Sequence, residues 1–329
     1  MLPGRVVTNE ELAPMLGVAP EWIEAVSGIC ERRWVGADQS TSDPAVDAVR
    51  SALEDAQVKV EEVDYLIGCT LSPDYQVPGI APIVQRKLGA GRIPAVDLRV
   101  GCAGALYSLQ IACGLIESGA AKTVVCLGAE AQSKGLELNR ESAELSMLFG
   151  DGAGAFVVRG EEGLNESRLA LRVEDVLIRT DGSFAEDLIV RAPGTANGAR
   201  WIDAEQIAAG LHRGSMNGRS VILHAVRKLA DAIVEVTGRN QVSIEEIDLI
   251  VPHQANANLL RQLAKKLSVA EEKVVSNIDR FGNTSGASAF IALCQARKEQ
   301  RLLPGSNVLV AAFGAGFTWG AALGRVCMR

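Results

Sequence analysis

An α/β fold built from two halves of one plan is what this sequence predicts, and three observations carry that expectation. Apolar, β-branched runs alternate with segments of helical period along most of the chain. Val63-Asp64-Tyr65-Leu66-Ile67-Gly68 resembles Ile247-Asp248-Leu249-Ile250-Val251-Pro252, each reading as a buried strand after an acidic helix end. Helix starts follow at similar distances, one carrying Cys102 and the other Asn283, and each is followed by a further strand, Thr123 to Gly128 and Asn307 to Ala312. Duplication of such a unit lets two helix N-termini face each other across a pseudo-twofold axis.

Taken in order, Thr8 to Leu12 and Pro20 to Ile23 read as short helices begun by a capping residue and by proline. Cys30 to Val35 reads as extended, and a helix is expected from Asp43 to Ala56 with Ser42 as its cap. Ala95 to Val100 is a strand that stops at Gly101. Cys102 follows, and then a helix from Ala105 with Leu106, Leu109, Cys113 and Ile116 at helical spacing. A strand over Leu169 to Arg179, turns at Asp181-Gly182-Ser183 and Ala192-Pro193-Gly194, and a long amphipathic helix over Arg219 to Val236 complete the reading. The expected division is an N-terminal half, 1–160, and a cap segment plus C-terminal half, 161–329, packed as one unit.

Composition bounds the function. With 329 residues, 48% hydrophobic and 22% charged, the chain can bury a large core. A formal charge of −7 argues against nucleic acid or an anionic membrane as main partner. No apolar run is long enough to span a bilayer, and Met1-Leu2-Pro3-Gly4-Arg5 lacks a signal-peptide core, so the expectation is cytoplasmic. Seven scattered cysteines without a C-x-x-C pair point to reduced thiols and to no metal site.

Cys102 is expected at a helix N-terminus, where the dipole and unpaired N–H groups favour a thiolate, with Gly101, Ala103 and Gly104 leaving room for substrate. His253 follows Ile250-Val251-Pro252 at a strand's carboxyl end, where ligands of α/β sheets bind. The other histidines read as structural or solvated, His212 in a polar turn and His224 within a helix.

Four motifs together resemble the β-ketoacyl-acyl-carrier-protein synthase III family: Gly-Cys-Ala-Gly at Cys102, Pro-His-Gln-Ala-Asn at His253, Gly-Asn-Thr-Ser-Gly-Ala-Ser at Asn283, and Phe313-Gly314-Ala315-Gly316-Phe317-Thr318-Trp319-Gly320. Ser27 to Arg32, Phe149 to Ala155 and Arg179 to Ser183 fit as well. The resemblance implies a thiolase-like fold with central mixed sheets in a layered αβαβα arrangement. It also implies a decarboxylative Claisen condensation that initiates fatty-acid synthesis. In that chemistry Cys102 takes an acyl group from a coenzyme A thioester, with the oxyanion held by backbone N–H groups of Cys102 and Ala315. His253 and Asn283 then donate to the malonyl thioester carbonyl as CO2 leaves, each donor worth roughly 3 kcal/mol of barrier. Implied partners are an acyl-CoA, an acyl carrier protein and a second copy in a homodimer, with no cofactor.

By position, the resemblance makes Trp22 and Arg140 contacts of coenzyme A. It places Phe149, Arg219, Asn256 and Phe313 along the substrate channel, and Arg261, Lys265 and Lys266 as the docking face for an acidic carrier. The chain departs from the family at Val26, where an arginine usually helps hold the nucleotide, and at Asn258, often a basic residue. Val77 stands where a bulky aromatic of the partner subunit often closes the acyl pocket, and a smaller side chain predicts room for longer or bulkier primers. Leu71-Ser72-Pro73-Asp74 and Ala192-Pro193-Gly194 also resemble quinolone-pathway relatives with an anthraniloyl starter. The family begins with a core strand before Leu2-Pro3, which the sequence as written lacks. Other readings of the same residues are a secondary-metabolite synthase with a bulkier starter, a cysteine thioesterase, and a non-catalytic thioester-binding protein.

Overall fold

The computed structural model describes residues 1–161 and 169–328. Residues 162–168, expected at the start of the cap segment, lie outside the described residues. The chain opens with β1 (Arg5–Thr8), α1 (Asn9–Leu16), α2 (Pro20–Ser27) and β2 (Glu31–Trp34), β1 and β2 forming an antiparallel ribbon. Thr8 caps α1 by accepting the Glu11 N–H, and α2 begins at Pro20.

The first half continues as α3 (Ser42–Ala56), β3 (Tyr65–Cys69), α4 (Ile80–Leu88), β4 (Ala95–Leu98), α5 (Gly104–Glu117), β5 (Thr123–Glu130), α6 (Ala143–Ser146) and β6 (Gly152–Arg159). Ser42 differs from its expected role: the helix starts at Ser42 itself, and its hydroxyl donates to Asp74 at 2.5 Å. A further antiparallel strand, β7 (Leu169–Thr180), leads into a cap made of β8 (Leu188–Val190), α7 (Ala204–Ala208) and β9 (Gly214–Met216). The second half follows as α8 (Gly218–Arg239), β10 (Ile247–Pro252), α9 (Ala257–Leu267), α10 (Ile278–Phe281), α11 (Ser288–Lys298), β11 (Asn307–Gly314) and β12 (Thr318–Met328).

Two mixed sheets result, ordered β4-β3-β5-β6 and β10-β11-β12-β7. In the first, β3 runs parallel to β5 and β5 antiparallel to β6; in the second, β10 runs parallel to β11 and β11 antiparallel to β12. The duplication reaches single side chains. Glu62 and Glu246 close matching capping boxes, each accepting a backbone N–H at 2.8 Å, from Lys59 and from Ser243. Asp64 accepts the Thr123 N–H at 2.9 Å and Asp248 that of Asn307 at 2.8 Å, so the same aspartate ties neighbouring strands in both halves.

Helices α5 and α11 touch strands of both sheets and form the middle layer. Their apolar residues, Leu106 and Phe290 among them, share one core with Val124, Val251 and Val310. α3 and α4 cover the outer face of the first sheet, and α8, backed by α9, covers that of the second. This is the expected five-layer arrangement.

The edge of β12 that β7 covers corresponds to the outer edge of β6. There, among the described residues, Met1 pairs, its terminal amine donating to the Ala153 carbonyl and its carbonyl accepting the Ala153 N–H. Beside that edge runs a cavity of about 1400 Å³, lined by Ala155, Phe156, Leu109, Leu171, Ile291 and others; Cys102, His253 and Asn283 are not among its lining residues. Among the described residues no helix is long and apolar enough to cross a membrane.

Candidate active site

β4 ends at Leu98, and the chain turns tightly through Gly101, whose φ of +55° is left-handed and suits glycine. Cys102 sits in that short turn, immediately before α5, and is buried. In the second half the matching turn, Ser285–Ala287, leads into α11, and the two turns touch. Cys102 Sγ lies 3.5 Å from Ser285 Oγ. The repeat read from sequence therefore does bring the two helix starts together.

Asn283 is fixed from both sides. Its backbone N–H donates to the Leu148 carbonyl at 2.8 Å and its own carbonyl accepts the Gly150 N–H at 3.1 Å, so Phe149 runs alongside it. Its Oδ1 accepts the Ser285 N–H at 2.8 Å, which turns the amide nitrogen away, free to donate elsewhere. His253 closes β10, and its backbone N–H donates to the Ala311 carbonyl at 2.7 Å. Its Nδ1 is bonded to the Ser288 hydroxyl. Ser288 Oγ also accepts the Gln254 N–H at 3.3 Å. Burial lowers the His253 pKa to about 3, so the ring is neutral at physiological pH.

The Cys102 thiol differs from the sequence expectation. Burial pushes its pKa up to about 12; the Ser285 hydrogen bond draws it down and the nearby Glu130 carboxylate pushes it further up. Desolvation outweighs the helix end because the sulfur has no water to solvate its charge.

Gly314, at the end of β11, presses on the Cys102 backbone. A Cβ there would stand 2.5 Å from the Cys102 nitrogen and 3.2 Å from that of Ala103. The Ala315 nitrogen lies close as well, 2.8 Å from where a Gly101 Cβ would be. Thr318 clamps this turn by donating to the Val100 carbonyl at 2.8 Å. Phe313 is buried, its ring 4.7 Å from that of Phe317.

The outer candidates are more scattered. Trp22 and Arg140 do meet, with the guanidinium 5.8 Å from the ring centre of the half-buried indole. Arg219 is exposed in the first turn of α8. Asn256 caps α9 by accepting the Asn258 N–H at 2.8 Å and donates to the Val26 carbonyl at 3.1 Å, so its side chain is engaged in holding α9 to α2. Asn258 donates to the same carbonyl at 3.0 Å. Arg261, Lys265 and Lys266 lie exposed on α9, where Arg261 also donates to Asn258. Val77 is 87% exposed in the loop between β3 and α4. His212 Nε2 donates to the Glu137 carboxylate at 2.8 Å, and His224 packs 4.3 Å from the Phe184 ring, both within the structural or solvated roles expected of them.

Three groups at the site have no assigned role in the sequence reading: Ser285, Ser288 and Glu130. Glu130 is 0% exposed at the end of β5 and accepts from the Gly286 N–H at 3.2 Å. An acidic residue closing an otherwise uncharged, mostly apolar strand was the available signal.

Comparison with known proteins gives the same picture. Residues 96–192 match the family 3-oxoacyl-[acyl-carrier-protein (ACP)] synthase III, and residues 238–326 match its C-terminal part. A beta-ketoacyl-[acyl-carrier-protein] synthase III of Clostridium perfringens is 39% identical over 321 residues, covering 98% of this chain and 95% of that protein. One from Nitratidesulfovibrio vulgaris is 39% identical over 328 residues, covering 98% and 96%. Among solved structures, 3-oxoacyl-[acyl-carrier-protein] synthase III from Aquifex aeolicus superposes with a TM-score of 0.87 at 35% identity, covering 98% of this chain and 96% of that one. The sequence match over nearly the whole length and the shared layered architecture lead to one conclusion: this chain belongs to the 3-oxoacyl-[acyl-carrier-protein] synthase III family of condensing acyltransferases.

Proposed function

We propose that this protein condenses an acyl-CoA primer with malonyl-acyl-carrier protein, releasing CO2 and coenzyme A and giving a 3-ketoacyl product, by way of an acyl-Cys102 intermediate. One observation supports the reading: Ser285 lies 3.5 Å from Cys102 Sγ and donates its N–H to Asn283 Oδ1 at 2.8 Å, and Ser288, at the start of α11, bonds His253 Nδ1. In this reading a neutral imidazole with its proton on Nε2 and an amide nitrogen freed by Ser285 both offer protons to a developing negative oxygen. Neither carries a charge that would repel the incoming malonyl carboxylate or trap the enolate.

In the first half-reaction Cys102 sulfur attacks the primer carbonyl, with the N–H groups of Cys102 and Ala315 as oxyanion donors. In the second, His253 and Asn283 hold the malonyl thioester oxygen as the C–C bond to CO2 breaks, and the carbanion displaces Cys102. Trp22 and Arg140 are the candidate nucleotide contacts, Phe149, Arg219 and Phe313 candidate channel residues, and the α9 cations a docking face for an acidic carrier. No cofactor takes part in these steps, and the setting is cytoplasmic. The edge of β4, unpaired among the described residues, and the exposed Val77 in the loop before α4 support a homodimer in which both are covered by the second copy.

A second reading is favoured by Val77 and by one comparison. A priming β-ketosynthase from the R1128 polyketide pathway superposes with a TM-score of 0.86 at 29% identity, covering 99% of this chain. The same chemistry on a bulkier starter would follow if Val77 of the second copy, small and 87% exposed in its own chain, is the residue that closes the acyl pocket. Intact-mass measurement of the protein against acetyl, branched, medium-chain and aromatic CoA thioesters, followed by CO2 release from malonyl-carrier protein, tests both readings. Acylation of Cys102 with CO2 release supports the condensation, and the preferred primer separates the two. No mass shift at Cys102 with any thioester refutes both.

A further inference from the structure

Two motifs of the sequence, Ser27 to Arg32 and Phe149 to Ala155, meet in the fold behind Asn283. Arg32, in β2, is 0% exposed. Its Nη1 donates to Asn9 Oδ1 at 2.8 Å and to the Val7 carbonyl at 3.3 Å, and its Nη2 donates to the Met147 carbonyl at 3.1 Å. Among the described residues these acceptors include no carboxylate, and the buried Nε has no partner. Burial lowers the guanidinium pKa to about 10, so it keeps its charge at neutral pH.

Burying a cation among neutral acceptors is costly, and an apolar side chain of similar length would fill the space without that cost. What the guanidinium adds is a planar fork that fixes two directions at once. One of them leads to Asn283. The Leu148 carbonyl, next along the chain from the one Arg32 holds, accepts the Asn283 N–H at 2.8 Å, and the Gly150 N–H donates to the Asn283 carbonyl at 3.1 Å. The arginine stem backs both of these segments: a Cβ on Gly150 would stand 3.1 Å from Arg32 Cβ, and one on Gly282 3.3 Å from it. The backbone around Arg32 grips the same two segments, since the Cys30 N–H donates to the Asp279 carbonyl at 2.9 Å and the Arg33 carbonyl accepts the Asp151 N–H at 2.7 Å. The Cys102 turn stands outside this frame and is clamped by Thr318.

We propose that Arg32 is a positioning residue for the second half-reaction. By holding the Met147 carbonyl and backing Gly150 and Gly282, it fixes where Asn283 presents its amide nitrogen to the malonyl thioester oxygen, without touching substrate itself.

The proposal rests on Asn283 acting as a donor in decarboxylation, and the test keeps the two apart. Acylation of Cys102 by acyl-CoA and decarboxylation of malonyl-carrier protein are measured on wild type, Arg32→Met, Asn283→Ala and the double variant, together with the melting temperature of each. Arg32→Met keeps a stem and removes the fork. It is expected to lower kcat for decarboxylation about tenfold, with KM for the malonyl-carrier within about twofold and acylation within about threefold of wild type. In the double variant the Arg32 change should cost less than about twofold beyond Asn283→Ala, because an absent amide cannot be misplaced. A full tenfold loss on top of Asn283→Ala, or parallel losses in both half-reactions, makes Arg32 a support of the fold alone and overturns the proposal. Loss in Asn283→Ala with none in Arg32→Met overturns it too and leaves the function standing. Should Arg32→Met fail to fold, Arg32→Lys decides: an ammonium cannot span Asn9 and Met147 together, so decarboxylation should still fall at least about threefold with acylation retained. Wild-type rates or parallel losses in Arg32→Lys overturn the proposal. An Asn283→Ala variant that decarboxylates like wild type, or a wild type that does neither reaction, overturns the donor reading and this proposal together.

Discussion

Ser285 Oγ lies 3.5 Å from Cys102 Sγ although 183 positions separate them in sequence. The contact crosses from one half of the duplicated fold to the other, so neither half alone contains the site. What brings the two turns together is the middle layer: α5 and α11 each begin at one of these turns and pack against strands of both sheets. Cys102 and Asn283 are therefore positioned by a buried layer, where displacing a side chain costs repacking on two faces.

Gly314→Ala is expected to abolish acyl-enzyme formation. The added Cβ would meet backbone nitrogens at 2.5 Å and 3.2 Å, with no flexible side-chain end to yield. The turn from β11 to β12 must then move off Cys102 and take the Ala315 N–H with it. A loss of at least about a hundredfold in acylation rate, the cost of one misplaced oxyanion donor, is the expected result. Intact mass after rapid mixing with acyl-CoA measures it. A variant that acylates normally would show that this turn supplies no donor.

Asn283→Ala should separate the two half-reactions. Removing the amide would take the proposed donor from the malonyl thioester and leaves Cys102 itself untouched, while the Ser285 N–H loses its Oδ1 acceptor. Decarboxylation is expected to fall by roughly a hundredfold or more, about 3 kcal/mol of barrier, while acylation of Cys102 persists. Equal losses in both would place Asn283 in the first step instead.

Much of this was legible in the sequence for definite physical reasons. β-branched runs and small-residue turns marked the strands and helix starts, and the likeness of Val63–Gly68 to Ile247–Pro252 placed Cys102 opposite Asn283. What was hidden depended on burial and on long-range partners. A helix start suggests a lowered thiol pKa, yet the desolvation that raises it instead exists only once β11 and the 285–287 turn close over the sulfur. Asn256 looked like a channel residue, and only the fold shows its amide tied to Val26. Glu130 had a signal, an acid ending an apolar strand, but its partners come from positions 70–72 and 286, which no local pattern joins to it.

Trp22 and Arg140 are expected to act as a pair. The guanidinium lies 5.8 Å from the ring centre, a cation–π contact that presents a flat apolar face beside a positive charge. An adenine nucleotide fits that chemistry. Trp22→Ala and Arg140→Ala should each raise KM for acyl-CoA by about tenfold, one interaction of 1–2 kcal/mol, with kcat little changed. Loss of kcat at unchanged KM would remove both from the nucleotide site.

The neutral state of His253 has a consequence for stability that runs opposite to a salt-bridged histidine. Its folded pKa is about 3 and the unfolded chain's is about 6.5, so below pH 6.5 the unfolded state binds a proton that the native state refuses. Its contribution is fully present above about pH 6.5 and is lost as the pH falls toward 3, at up to about 1.4 kcal/mol per unit. Buried Glu130 and Asp151, whose pKa values are raised, act with the reverse sign and keep the native state from losing as much in acid. His253→Gln cannot gain the proton and leaves those carboxyls in place. Urea unfolding of both proteins at pH 7, 6, 5 and 4 isolates the histidine in the difference between them. Relative to its value at pH 7, the stability of the variant should gain on wild type by about 1 kcal/mol per unit below pH 6. A difference that stays flat across this range means the ring is charged in the folded protein, and the reading of it as a neutral donor falls with it.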